Sequence, residues 1–512
     1  MKRTKIISLF FVIVTSLFYQ GCTDLEEEVY DRLPVDEFGQ TPEQINALTA
    51  PIYRTLKGLF PGNYFLLSEC SADMAITPTR KGGDWWDGGQ FKELRLHTWT
   101  PNTSLVKSSY DAAVESISSC NKIYSMVEEI GKTQPIADEQ RVLAEIRGIR
   151  AFWYYILIDY FGNVPVVTDF NDTANPTTAS RKEVYEFIIN ELNAIKDVVR
   201  DDVTPESYGK ITKGVVYTLL AKMYLNAEVW NPEDGAKWQE VVDACDTVMS
   251  MDYVIEPDFK SSFVVQNQNS KEIIFPVVFS TADGGNHIHK RTLHYLDPIP
   301  LNLNVGTWNG ISAMPGYVKA YEEDDKRVDW SFLTGPMYDA EGSILITAHG
   351  RELIHTIDID MQYNLDADGW GQVEQEEGAR CSKWEFESGL NGDMENDFAI
   401  FRLADVYLMK AEALVRMGDD NEEASRLVNV LRQRAFDDNS MLKSSVTLED
   451  IYQERRFELA WEIFARQDMI RFGTFLDEIP GWKPATSEVR LLFPIPQSAL
   501  DANPDLTQNP GY

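Results

Sequence analysis

Residues 401–435 read FRLADVYLMKAEALVRMGDDNEEASRLVNVLRQRA, and after a polar gap residues 448–473 read LEDIYQERRFELAWEIFARQDMIRFG. Apolar side chains return every three or four residues at Leu403, Val406, Tyr407, Met409, Ala411 and Leu414. That spacing predicts an amphipathic helix. Gly418 and the polar run after it end the helix, and Ala424, Leu427, Val428, Val430 and Leu431 begin another on the same rule. Two helices joined by so short a link lie antiparallel, and neither buries its apolar stripe alone. Each pair therefore needs a further pair to stack on.

The chain supplies such pairs. VYTLLAKMYLNAEVWNPEDGAKWQEVVDACDTVM (residues 216–249) has the layout of residues 406–435. A tyrosine opens each first helix, a small residue follows four positions later (Ala221, Ala411), and an acidic turn leads to an alanine in the second helix (Ala236, Ala424). This is an internal repeat near the tetratricopeptide period of ~34 residues. Further helices are expected at 106–130, 142–161, which is apolar on most faces and so central, and 181–199, opened by the capping pair Ser180 and Glu183. An earlier helix starts at Thr41 and runs to about Phe60, with a kink or split expected at Pro51 and a stop at Pro61-Gly62-Asn63. The fold class that follows is mainly α, a tetratricopeptide-like solenoid of about four helix pairs with a large irregular α/β-loop insertion. The scaffold falls at about 41–60, 104–251 and 397–475, the loop and insertion region at 61–103 and 252–396, and a C-terminal coil at 476–512, entered through a short strand in LLFPIPQS (491–498).

The first residues belong to export. Lys2, Arg3 and Lys5 precede an apolar run from Ile6 to Tyr19, too short to span a bilayer, and Gly21-Cys22 follows. Residues 1–21 read as a lipoprotein signal peptide, with Cys22 as the lipidated first residue of the mature chain 22–512. No other apolar run is long enough to span, so the reading is a protein anchored to a membrane. A formal charge of −34 on 512 residues makes nucleic acid a poor partner, and disfavours polyanions unless a local basic pocket overrides the global sign. Cys70, Cys120, Cys245 and Cys381 are too widely spaced for a zinc site, Cys120 and Cys245 fall on apolar helix faces, and any pairing stays open.

Several long motifs resemble one family in the right order. They are Cys22 with its acidic follower, AEIRGIRAFWYYILIDYFGNVPVV (144–167), RLADVYLMKAEALVRMG (402–418), ERRFELAWEIFARQDMIRFG (454–473) and LFPIPQSALDANPDLTQNPGY (492–512). The chain resembles the SusD/RagB outer-membrane glycan-binding lipoproteins of Bacteroidota over essentially its whole length. The resemblance implies a helical scaffold with an irregular binding region. It also implies a lid over a SusC-like TonB-dependent transporter, passing oligosaccharides to the pore for nutrient uptake without catalysis, and an outer-membrane lipid anchor through Cys22 (palmitate chemistry). Tyr19 and Gln20 depart from the usual residues before the lipidated cysteine.

The candidate binding residues lie in two loops. TPTRKGGDWWDGG (77–89) sets Trp85 and Trp86 among glycines, with Arg80, Asp84 and Asp87 beside them and Asp73 upstream. Sugars offer apolar C–H faces and a hydroxyl rim, which a flat indole beside carboxylates and an arginine suits. The bland alternative is a tryptophan that pins the loop to the scaffold. VGTWNG (305–310) repeats the pattern with Trp308 and Asn309, while Trp330 and Trp370 rank lower. His287, His289 and His294 in HIHKRTLH read as a solvated loop rather than a metal site. NLDADG (364–369) offers Asn364, Asp366 and Asp368 as a weak calcium candidate, broken by Gln375 where an EF-hand needs Glu. No other metal and no cofactor is expected. Glu454, Arg455, Arg456, Glu458 and Glu462 read as an ion-pair network between helices, with Glu454–Glu458 and Glu458–Glu462 as like-charge i,i+4 pairs. No GxSxG, P-loop or HExxH occurs. The leading reading is an oligosaccharide-binding lipoprotein; a glycoside hydrolase and a protein-only tetratricopeptide scaffold are the rivals.

Overall fold

A computed structural model of the chain describes residues 41–512, apart from 281, 283 and 438. The signal segment, Cys22 and the acidic tether lie outside the described residues.

The scaffold helices are α1 (Pro42–Gly58), α2 (Ser104–Thr133), α3 (Glu139–Tyr160), α4 (Arg181–Ile195), α5 (Lys213–Leu225), α6 (Trp238–Met249), α7 (Leu403–Met417), α8 (Asn421–Ala435), α9 (Leu448–Glu458) and α10 (Ala465–Arg471). Capping boxes at Thr41, Ser180 and Thr447 start α1, α4 and α9 by satisfying free helix N–H groups. Consecutive helices pack in pairs, α2 on α3, α3 on α4, α5 on α6 and α7 on α8. The small residues sit where helices cross: Ala221 and Ala411 are fully buried, and a Cβ on Gly148 of α3 would meet Ile211 at 2.4 Å. Helix α3 is buried over nearly its whole surface, as its all-round apolarity requires.

Helix α6 packs directly on α7, although 153 residues separate Met249 from Leu403. The solenoid closes over the insertion. Lys222 of α5 pairs with Asp405 of α7 at 2.5 Å, both fully buried, and Lys410 reaches Asp246 at 2.6 Å. The insertion leaves and returns through one antiparallel strand pair, Ile273–Val277 with Phe398–Arg402. Phe275 and Phe401 on these strands press on Phe152 of α3, with ring centroids 5.4 and 6.1 Å away.

A buried charge network holds the insertion to the scaffold. Arg402 donates to Glu272 (2.8 Å), Glu458 (2.6 Å) and Glu462 (2.6 Å). Arg434 joins Glu272 to Glu458, and Arg327 of the insertion donates to Asp325, Glu454 and Glu458. Lys383 completes it on Glu462. The expected ion-pair network is present, but not on one helix. The helix expected to carry Glu454, Glu458 and Glu462 at i,i+4 spacing ends at Glu458, where Trp461 (φ 70°) and Ile463 (φ 69°) turn the chain before α10. Glu462 is therefore not one turn below Glu458; the break aims both carboxylates at Arg402.

Other expectations need correction. Helix α1 runs unbroken through Pro51, which is exposed, while Ile52 and Leu56 bury the opposite side. Helix α1 stops at Gly58, and Gly62 (φ −122°, ψ −112°) leaves the helical region within Pro61-Gly62-Asn63 as expected, but the region read as loop beyond it holds two short helices, Tyr64–Glu69 and Gln90–Leu96. Residues 492–496 form no strand; Phe493 instead donates its N–H to Tyr160 O and packs against Trp99 at 4.5 Å. Cys70, Cys120, Cys245 and Cys381 are buried free thiols. Among the described residues no helix is long and apolar enough to cross a membrane.

Burial pushes the Glu458 carboxyl up, but Arg434, Arg402 and Arg327 outweigh it and hold it well below the usual carboxylate range; Glu272 is lowered in the same way. In the unfolded chain these groups take protons first, so their stabilisation is complete above the ordinary glutamate value and is lost as pH falls through the lower folded value. Glu458→Gln leaves three arginines short of a counter-charge and is expected to cost about 3–5 kcal/mol at neutral pH. Denaturant midpoints measured from pH 7 down to 3 check both points: the wild type falls steeply below about pH 4.5, and the variant starts lower with a shallower acid slope.

Candidate functional site

Two short strand pairs bring the candidate loops together. Ala75–Ile76 pairs with Ser312–Ala313, and Thr79–Arg80 lies parallel to Gln372–Val373. The glycine loop 81–89 is thereby set beside the 305–310 loop, and the Trp85 indole N–H donates to Trp308 O at 2.6 Å. Trp85 is half-buried, tilted on Phe91 with centroids 5.6 Å apart. Its ring lies so close over Gly310 that a Cβ there would come within 2.5 Å, which only glycine permits. Trp86 and Trp308 face solvent, 46% and 42% exposed. Tyr295, 39% exposed, donates its hydroxyl to Asp84 at 2.5 Å, and Asp87 is also exposed. The outer surface is thus two indoles and a phenol with two carboxylates.

The backbone beneath is strained: Trp85 (φ 65°), Asp87 (φ 41°) and Asn309 (φ 54°) are left-handed. Such residues cost about 1–3 kcal/mol each and persist only where the surroundings enforce them. Arg80 does much of the enforcing. It is fully buried, donating to Asn309 O and Gly310 O at 3.0 Å each, to Glu377 O at 2.8 Å and to Ser312 Oγ at 2.7 Å. Arg380 donates to the same Ser312 Oγ at 2.5 Å and to Gln375 O at 2.8 Å. Burial, and then the charge of Arg380, drive the Arg80 guanidinium well below its usual range; burial pushes Arg380 down to about 10. Both bind carbonyls in place of a carboxylate.

The eight sequence candidates therefore divide. Asp84, Trp86, Asp87 and Trp308 are each exposed, and half-buried Trp85 joins the two loops. Arg80 and Asn309 are not exposed: both are fully buried, and Asn309 donates to Gln375 O at 3.0 Å. The Arg80 donors and the Asn309 amide N–H are spent on loop carbonyls, while Asn309 Oδ1 is buried without a partner, and neither side chain reaches the surface expected of a ligand contact. Asp73 pairs with Arg456 at 2.8 Å, which ties it to α9. Lys92 bridges Asp366 and Asp368, so an ammonium already holds the carboxylates of the weak calcium candidate, while Asn364 is a left-handed turn residue. Among the described residues no three His, Cys, Asp or Glu side chains converge for a metal ion. Trp330 stacks on Phe259 at 5.5 Å and Trp370 is buried. His289 and His294 are not in a solvated loop: a short helix, Ile288–Thr292, holds His289 inward, and His294, beyond its end, is buried near the pair His355–Asp297. Tyr295 was missed. It sits in an irregular stretch without glycines, and only its pairing with Asp84, 211 residues away, marks it.

Two family models match the chain: the SusD family over residues 271–512, and a family described as starch-binding, associating with the outer membrane, over residues 66–225. The chain is 26% identical over 469 residues to the starch-binding protein SusD of Bacteroides thetaiotaomicron, covering 84% of this chain and 82% of that protein. Among solved structures it superposes on a SusD superfamily protein of Parabacteroides distasonis with a TM-score of 0.74 at 22% identity, covering 92% and 99% of the two chains. A surface glycan-binding protein A of Bacteroides thetaiotaomicron, in complex with laminarihexaose, gives 0.69 at 18% identity, covering 92% and 100%. The structural likenesses establish the fold, and the two sequence families span scaffold and insertion alike.

Gly310→Ala tests how tightly the loops depend on one another. The added methyl meets the Trp85 indole and Arg291 O. The expected outcome is a loss of about 1–3 kcal/mol in stability, with indole emission shifted to the red as Trp85 is displaced towards water.

Proposed function

Because the chain belongs to the SusD family, we propose that it captures oligosaccharide at the outer membrane on the ridge formed by Trp86, Trp308 and Tyr295. One observation carries this reading. Three exposed aromatic side chains come from three segments that contact one another: the Trp308 loop joins the glycine loop through the Trp85 indole, and Tyr295 joins it through Asp84. An exposed indole costs free energy in water that a sugar's C–H face recovers, and Asp84 and Asp87 accept hydroxyl hydrogens at the rim. The names of the relatives agree: they bind starch or glycan, and one holds laminarihexaose. Those are names of binding proteins rather than of enzymes.

The finer reading adds a place and a partner. Cys22 carries the lipid anchor, the signal segment 1–21 is removed, and residues 22–512 form one SusD-like domain on the cell surface. That domain sits over a SusC-like TonB-dependent transporter and passes glycan to it for uptake. Each contact in a shallow ridge is weak, and tethering beside the pore compensates by raising the effective concentration.

Trp86→Ala and Trp308→Ala are each expected to weaken glycan retention by roughly tenfold, about 1–2 kcal/mol, with melting unchanged because both rings are exposed. Affinity electrophoresis through a panel of plant and host polysaccharides measures this; retention that survives both substitutions overturns the ridge as the binding surface. Cys22→Ser is expected to move the protein from the membrane to the soluble fraction, read by fractionation of expressing cells.

A further inference from the structure

The Trp308 end of the ridge carries an arginine with no anion to bind. The Arg291 guanidinium lies 5.8 Å from the centre of the Trp308 ring. Among the described residues it makes no ion pair and no hydrogen bond, and its Nε is buried without a partner. Arg80 and Arg380 also lack a carboxylate, but backbone carbonyls and Ser312 saturate them. Arg291 has neither. In a chain with 81 acidic and 47 basic residues, a half-buried arginine left without an anion is costly unless something else supplies one.

The backbone beside it brings a second polar nitrogen to the same place. A Cβ placed on Gly62 would stand 3.9 Å from both Arg291 Nη2 and His287 Nε2, so the two nitrogens converge over a residue with no side chain. His287 also flanks Trp308, with ring centroids 6.3 Å apart, and its side chain has no hydrogen-bond partner among the described residues. Burial, then the nearby Arg291, push its imidazole down to about 4, so at neutral pH it is an uncharged donor and acceptor. Asp393 is engaged by Lys290 at 2.7 Å, and burial keeps the neighbouring Cys70 thiol protonated, with a pKa of about 12. The group is stitched to the ridge: Lys290 O accepts from Trp308 N at 2.6 Å, and Arg291 O from Gly310 N at 2.8 Å.

We propose that Arg291 and His287, beside the exposed face of Trp308, form an anion subsite that takes the carboxylate of an acidic sugar or a sulfate ester on a sugar. A guanidinium presents two parallel N–H groups to either anion, while the indole carries the ring that bears it. The ridge is then polarised, with acceptors Asp84 and Asp87 at the Trp86 end and donors at the Trp308 end. This inference rests on the glycan reading above and narrows it to glycans with at least one anionic residue.

The test titrates the purified mature protein without its lipid against paired probes. Oligosaccharides of galacturonate, alginate and sulfated galactan are each compared with their carboxyl-reduced or desulfated twins, by calorimetry at low and moderate salt. The wild type is expected to prefer one charged class over its neutral twin by roughly tenfold or more, and the class preferred separates carboxylate from sulfate. Arg291→Gln is expected to erase that preference while keeping the affinity for the neutral twin, and Arg291→Lys to restore part of it; unchanged melting of both variants secures the comparison. Equal binding of charged and neutral twins by the wild type, or full preference retained in Arg291→Gln, overturns the anion subsite and leaves the glycan reading standing. No binding of any charged or neutral glycan overturns both.

Discussion

The structure depends on Arg402 and the carboxylates it gathers. A helical solenoid interrupted by well over a hundred residues must hold that interruption in one orientation, or the loops on it carry no defined surface. Arg402 ends the returning strand and opens α7, so it stands at the junction. Its partners Glu272, Glu458 and Glu462 come from the outgoing edge of the insertion and from both sides of the α9 break. Burying such groups gains little net stability over an apolar core, but breaking them is expensive. The network therefore acts mainly on specificity: other dockings of the insertion would strand charges without partners.

The same logic recurs nearer the surface with a different chemistry. Arg80 and Arg380 gather carbonyls instead of carboxylates, because strained loops expose backbone oxygens that no regular ladder satisfies. Residues rich in hydrogen-bond donors are the natural filler for an irregular core. The left-handed backbone at Trp85, Asp87 and Asn309 is the outward sign of that constraint. Rigidity beneath the ridge matters because weak stacking contributes most when the rings are already in place.

The candidate site was only half legible in the chain. Glycines around Trp85, Trp86 and Trp308 signal loops, and large aromatics in loops signal binding. Composition does not say which side chain points inward. Arg80 and Asp84 are four residues apart in the same loop, yet one is fully buried and the other exposed. Tyr295 and Arg291 gave no signal because their meaning comes from neighbours far along the chain: Asp84 for one, and the Trp308 ring with Gly62 for the other.

What the sequence determined by itself is periodic and local. Helical spacing, capping boxes, small residues at crossings and the repeat of residues 216–249 in 406–435 depend on neighbours within a few turns, and each specifies its helix almost alone. Tertiary structure decided everything that rests on long-range pairing. It kept α1 continuous through Pro51, because the proline faces water while the buried side holds. It broke the helix after Glu458, because two carboxylates had to reach one arginine. It made Arg80 a support and left Arg291 unpaired. Local propensities differ by tenths of a kcal/mol per residue, whereas a buried charge or donor without a partner costs several, so where the two conflict the long-range partner wins.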